Sequence, residues 1–236
     1  MTALTFIARD VSDVATATTQ CAILPVFQNA KLSGAAQKLD KVASGAIKAA
    51  LALGDFSGKS GESLFLPGAG AAKRILLIGC GEEKKFGREA ARKFSQHLYR
   101  ALESRQATEA MLHLGSIRMP EGDTEWMLGF LARSLTTAAY RYTETVSKPK
   151  AAMKLTRLVI NTSGAIGTHA AARALREGKA IGLGVNEARN LANLPGNICT
   201  PTFLARQARK LARDNSRLSV TVLEEKRMRE LGMGAL

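Results

Sequence analysis

The residues that could do chemistry are scattered, and each pattern falls short of a working site. Gly54-Asp55-Phe56-Ser57-Gly58-Lys59-Ser60 approaches a phosphate-binding loop, but three residues separate Gly54 from the Gly58-Lys59 pair. A P-loop requires four, followed by a helix whose N-terminal amides hold the phosphate. Here the next segment reads as a strand. Gly79-Cys80-Gly81 follows a strand and precedes a helix, as a dinucleotide fingerprint would. The third glycine of that pattern would fall at position 84, where Lys84 stands, and Gly87 comes three residues later. The reading is a strand-to-helix turn.

His97, His113 and His169 are far apart and lack the spacing of metal ligands. The three cysteines, Cys21, Cys80 and Cys199, form no CxxC pair and no disulfide framework. Cys80, at the end of an apolar strand, reads as a small buried side chain. Glu82-Glu83 and Glu224-Glu225 are adjacent pairs whose side chains diverge, so they do not converge on a substrate. Glu121, Asp123 and Glu125 alternate within a Pro/Gly turn region and read as solvated. No G-x-S-x-G elbow is present. The residues of this chain therefore supply no catalytic, metal-binding or substrate-binding constellation.

The elements that would position such residues are clearer. Residues 21–27 (CAILPVF) read as a buried strand, and residues 35–53 as one amphipathic helix ended by Gly54. Residues 62–67 and 73–79 read as strands of a hairpin turning at Gly68-Ala69-Gly70. Helices are expected over 87–104 and 124–140, and strands over 110–115 and 155–160. Strands alternating with helices give an α/β domain with a parallel or mixed sheet. A long helix spans 168–194, with Thr168 as its N-cap. Gly178, Gly182 and Gly184 within it predict close packing or a break, because each costs a helix about 1 kcal/mol relative to Ala. Turn residues at 193–197 precede a helix opened by Thr200-Pro201. A strand over 218–223 and a short charged helix over 224–231 follow.

The 34 basic and 20 acidic residues leave a net charge of +14, which favours a polyanionic partner. The basic residues are spread along helix faces, as at Arg206, Arg209, Lys210 and Arg213, and are not interleaved with aromatics. The N-terminus lacks the pattern of a signal peptide, and no apolar run approaches the roughly 20 residues of a membrane span. Reduced cysteines fit a cytoplasmic protein without membrane association.

The passage Asn186-Glu187-Ala188-Arg189-Asn190-Leu191-Ala192-Asn193-Leu194-Pro195-Gly196-Asn197, with Thr200-Pro201 and Leu204-Ala205, resembles the segment entering the catalytic domain of leucyl aminopeptidases. Leu231-Gly232-Met233-Gly234-Ala235-Leu236 resembles the next turn of that family. Gly54 to Lys59 and Ile75 to Gly79 resemble its N-terminal domain.

The resemblance implies a macro-domain-like mixed sheet over 1–165, a connecting helix over 166–194, and the start of a metallopeptidase domain over 195–236. It implies homohexamers that remove N-terminal residues, preferably Leu, from peptides. It also implies two divalent metals, zinc or manganese, which activate a water and polarise the scissile carbonyl. The family's metal-binding segments follow the Gly-Met-Gly-Ala turn. The expectation is therefore that this chain holds no metal or catalytic residue and is inactive alone. Some family members bind DNA, which makes a DNA-binding or assembly module the alternative. An ADP-ribose-type ligand, suggested by the macro-like fold, lacks a phosphate-cradling loop here.

Overall fold

The computed structural model describes residues 4–29, 31–32, 34–103, 105–115, 117, 119 and 124–234. Glu121, Asp123, Ala235 and Leu236, singled out above, lie outside the described residues.

The described chain forms two compact units. The first comprises the residues up to Arg141 together with Lys148–Glu187; the second comprises Tyr142–Ser147 and the residues from Ala188 onward.

The first unit is built on one sheet. Its strands are β1 (Thr5–Arg9), β2 (Ala22–Val26), β3 (Ser63–Ala69), β4 (Ala72–Gly79), β5 (Glu109–His113) and β6 (Arg157–Asn161). They lie in the order β1-β6-β5-β2-β4-β3. All neighbours are parallel except β3, which pairs antiparallel with β4 as the expected hairpin. The sheet is mixed, and α1 (Gly34–Val42), α2 (Ala46–Leu53), α3 (Arg88–Glu103), α4 (Thr124–Ala138) and α5 (Thr168–Asn193) accompany it.

Period-2 alternation divides the core between two faces. Ala22, Leu24, Val26, Ile75 and Leu77 join Leu39 and Ile47 of α1 and α2. Ile23, Leu76, Ile78, Leu112, Leu158 and Ile160 join Phe94, Leu98, Leu128, Leu131 and Leu175 of α3, α4 and α5. The result is a three-layer α/β/α arrangement.

Three local features differ from expectation. The helix expected over 35–53 is two helices, broken at Ser44 and Gly45, whose φ values are 54° and 82°. Asp40, buried at the end of α1, explains the break. Its Oδ1 accepts hydrogen bonds from the amides of Ile47 and Lys48, both at 3.0 Å, and so caps α2 instead of continuing α1. Strand β1 was not anticipated; its five residues are at most half-buried, and its pairing with β6 forms only in the folded chain. Strand β2 holds Pro25, yet lies between β4 and β5. It runs in register with β4 from Ala22 to Val26, but pairs with β5 only at Ala22 and Ile23. Proline has no N–H to give a ladder.

The second unit contains the last turn of α5, then α6 (Pro201–Asp214) and α7 (Glu225–Glu230). Thr200 caps α6 by accepting from the Phe203 amide at 3.2 Å. The strand expected over 218–223 does not form: these residues are in no strand or ladder, and Leu218, Val220 and Leu223 are exposed. The alternating pattern is present, but a strand needs a neighbour for its amides and carbonyls. No described residue of this unit is buried. Among the described residues, no helix is long and apolar enough to cross a membrane.

Candidate functional site

The loop that approaches a P-loop folds around its own carboxylate. Glu62 Oε2 accepts from the amides of Ser57 at 2.8 Å and Lys59 at 3.2 Å, and the Ser57 hydroxyl donates to both carboxylate oxygens at 2.9 Å. Desolvation pulls the Glu62 pKa upward, but these donors and the Lys59 charge outweigh it and hold the carboxyl below its usual range. The loop therefore already carries an anion in the place a phosphate would take. Its backbone also packs too closely to admit one: a Cβ on Gly58 would lie 2.8 Å from the Phe27 carbonyl, and one on Gly79 would lie 1.9 Å from the Lys59 oxygen.

The Gly79-Cys80-Gly81 turn is likewise stitched into its surroundings. Its three amides donate to the carbonyls of Glu62, Val26 and Gly58 at 3.0, 2.9 and 2.9 Å. A short 3-10 turn over Glu83–Lys85 separates it from α3, so no helix N-terminus faces it.

The histidines are not brought together. His113 is buried at the end of β5, where Asn161 Nδ2 lies 3.0 Å from its Nδ1. Asn161 Oδ1 accepts from the amides of Val11 and Ser163, which turns the amide nitrogen toward the imidazole. Nδ1 is thus the acceptor, and the ring is neutral. Burial lowers its pKa to about 4. His97 is half-buried on α3, while His169 is exposed near the start of α5. Glu82 pairs with Lys85, Glu125 with Arg173, and Glu225 with Arg229. Among the described residues, no three of His, Cys, Asp and Glu gather where they could hold a metal ion. The described residues thus do not fit a metal centre.

What the fold does assemble is a polar cluster unmarked in the sequence. Glu103 Oε1, at the end of α3, accepts from Arg141 Nη2 at 2.5 Å, Lys150 Nζ at 2.9 Å and the Tyr99 hydroxyl at 3.0 Å. Arg141 also donates to Tyr99 Oη at 2.7 Å and to the carbonyls of Ala138 and Tyr140. These residues border a cavity of about 400 Å³. The hydrogen bond from Lys150, followed by those of its neighbours, holds the Glu103 carboxyl below its usual range against a smaller upward pull from desolvation. All three donors converge on Oε1, so the carboxylate ties α3 to the chain that follows α4.

The glycines of α5 mark its crossing with α4. A Cβ on Gly178 would lie 2.0 Å from the Gly129 oxygen, and one on Gly182 would lie 2.8 Å from Thr136 Cβ. Asn186, one turn on, donates to the Thr136 carbonyl at 3.1 Å. Gly184 faces open space.

The profile of the cytosol aminopeptidase family, N-terminal domain, matches residues 23–149, and that of the family's catalytic domain matches residues 186–236. The chain belongs to the cytosol aminopeptidase family. A probable cytosol aminopeptidase of Nitrosococcus oceani is 38% identical over 223 residues, which span 92% of this chain and 44% of that protein. A counterpart from Alkalilimnicola ehrlichii is 36% identical over 224 residues, spanning 94% and 45%. The chain thus spans less than half the length of the curated relatives it matches. A mutant of tomato leucine aminopeptidase superposes with a TM-score of 0.78 at 26% identity, covering 98% of this chain and 46% of that one. The bottromycin maturation enzyme BotP, solved in complex with Mn, gives a TM-score of 0.66 at 21% identity over 92% and 41%, a likeness of fold alone.

Proposed function

We propose that the chain is the N-terminal part of a metal-dependent leucyl aminopeptidase, an enzyme that releases N-terminal amino acids, preferably Leu, from peptides. The observation that carries this is the pair of family matches in chain order on a chain spanning 44% of its relative's length. On this reading, residues 1–165 are the N-terminal domain, residues 166–194 the connecting helix, and residues 195–236 the start of the catalytic domain. The catalytic residues and the ligands of two divalent ions, manganese or zinc, lie outside this chain. BotP, with its bound Mn, and the relatives' cytosolic name support a cytosolic metallopeptidase. The whole protein assembles as a homohexamer.

The test is an assay of the purified chain with a leucyl chromogenic substrate and added manganese. No turnover is expected. Turnover by this chain alone would overturn the assignment of the metal site to residues outside it.

A second reading is DNA binding. It is favoured by the net charge of +14 and by three arginines gathered on two helices: Arg88 lies over Trp126, while Arg92 and Arg133 lie over Phe130. A mobility shift whose affinity falls steeply with salt would support it, and absence of binding at low salt would remove it.

A further inference from the structure

The Glu103 cluster stands at a particular place in the chain. Arg141 and Lys150 belong to the first compact unit, whereas Tyr142–Ser147 belong to the second. The two cations therefore flank a short excursion, one at the point of departure and one just after the return. Both are bound by the same oxygen, Oε1 of Glu103. The departing foot is the tighter: the Arg141 side chain is only 13% exposed, and its Nη1 also donates to the carbonyls of Ala138, at the end of α4, and Tyr140 at 3.0 and 2.8 Å. The returning foot is a single bond from Lys150, whose side chain is 70% exposed.

The Tyr140 amide, in the turn that trails α4, donates to the Thr137 carbonyl at 3.4 Å, and Glu144 and Thr145 form a local turn inside the excursion. The side chains that tie the two ends of the excursion converge on one carboxylate. Charge-assisted bonds to an ionised acceptor are the stronger kind, and the loss of a shared acceptor releases every donor at once.

We infer that Glu103 is a two-ended clamp, a positioning residue that sets where the chain leaves the first unit and where it re-enters. The two feet respond differently to substitution. Without Glu103 both come loose; without Lys150 only the returning foot does, because Arg141 keeps Glu103, Tyr99 and its two carbonyls. The inference does not depend on the peptidase reading and is tested without any activity.

The measurement is backbone amide relaxation by NMR on the 236-residue chain. Order parameters at Arg141 and Lys150 should be near the rigid value of about 0.85 in the unaltered chain and below about 0.6 at both positions in Glu103→Ala. In Lys150→Met only Lys150's position should fall. Tryptic cleavage after Arg141 should rise about tenfold in Glu103→Ala, since local opening exposes its side chain. Unchanged order parameters at either foot in Glu103→Ala would overturn the clamp, as would loosening of both feet in Lys150→Met. If Glu103→Ala loses its helical circular dichroism, Glu103→Gln, which keeps the volume and one acceptor oxygen, should loosen both feet to a smaller extent. A Glu103→Gln chain as rigid as the original would then overturn the inference.

Discussion

A side chain at Gly178 would put its Cβ 2.0 Å from the carbonyl oxygen of Gly129, so the backbones of α5 and α4 meet with nothing between them. The obstacle is backbone and cannot swing aside. Gly178→Ala gains helix propensity of about 1 kcal/mol but forces the helices apart, which should leave a net loss of about 1–3 kcal/mol. Gly184→Ala, two turns away in open space, should be neutral or slightly stabilising. Urea unfolding of the two variants checks both signs; equal stability would refute the close crossing.

Asp40 caps α2 from inside the core, with two amide donors on one oxygen. Asp40→Ala removes the acceptor and leaves the Ile47 and Lys48 amides unsatisfied. A loss of about 1–2 kcal/mol is expected in thermal or chemical unfolding. Asp40→Asn, which keeps an acceptor oxygen, should recover most of it.

His113 makes stability depend on pH. Its folded pKa of about 4 lies below the ordinary imidazole value of 6.5, so the unfolded chain takes up the proton first as pH falls. The contribution is complete above about pH 6.5, declines through the interval between the two values, and is fully lost below about 4. Between pH 7 and pH 5 this one group should cost about 2 kcal/mol. Unfolding curves of the original chain and of His113→Gln isolate the effect: the variant should be less stable at pH 7 and less sensitive to acid. An unchanged acid slope would show that His113 is not the group responsible.

The three cysteines should react unequally. Burial pushes the Cys21 thiol up to about 12 and raises Cys80 as well, whereas Cys199 is half-exposed. Thiolate is the reactive form. Iodoacetamide at pH 8 should therefore place one adduct on the native chain, at Cys199, and three on the denatured chain. Peptide mass spectrometry reads the positions, and labelling of Cys80 before Cys199 would contradict the packing described.

Much of the fold was legible because periodicity reports burial. The runs at 21–27 and 75–79 are apolar because both faces of their strands are covered, and the helices expected over 87–104 and 124–140 form as α3 and α4. The glycines of α5 foretold close packing, although only Gly178 and Gly182 meet a neighbour. The break at Gly45 was hidden because the apolar spacing of 35–53 continues across it, and what ends α1 is the hydrogen-bonding of Asp40 to residues seven and eight positions on. Residues 218–223 failed in the opposite way: their alternation is real, but pairing depends on a partner strand that local pattern does not reveal. The Glu103 cluster joins residues up to 47 positions apart, so spacing could not disclose it. The family passage at 186–197 was readable for a different reason, since it resembles the family as a string of residues and not as a physical period.

Pro25 has a consequence for the sheet as a whole. With β2 and β5 matched at only two residue pairs, the six strands amount to two three-stranded ribbons, β1-β6-β5 and β2-β4-β3, sewn together by a short seam. Every other neighbouring pair is matched over at least five residues. Under load or in denaturant this seam is the tear line, and amides along it should exchange with solvent before those of the ribbons on either side.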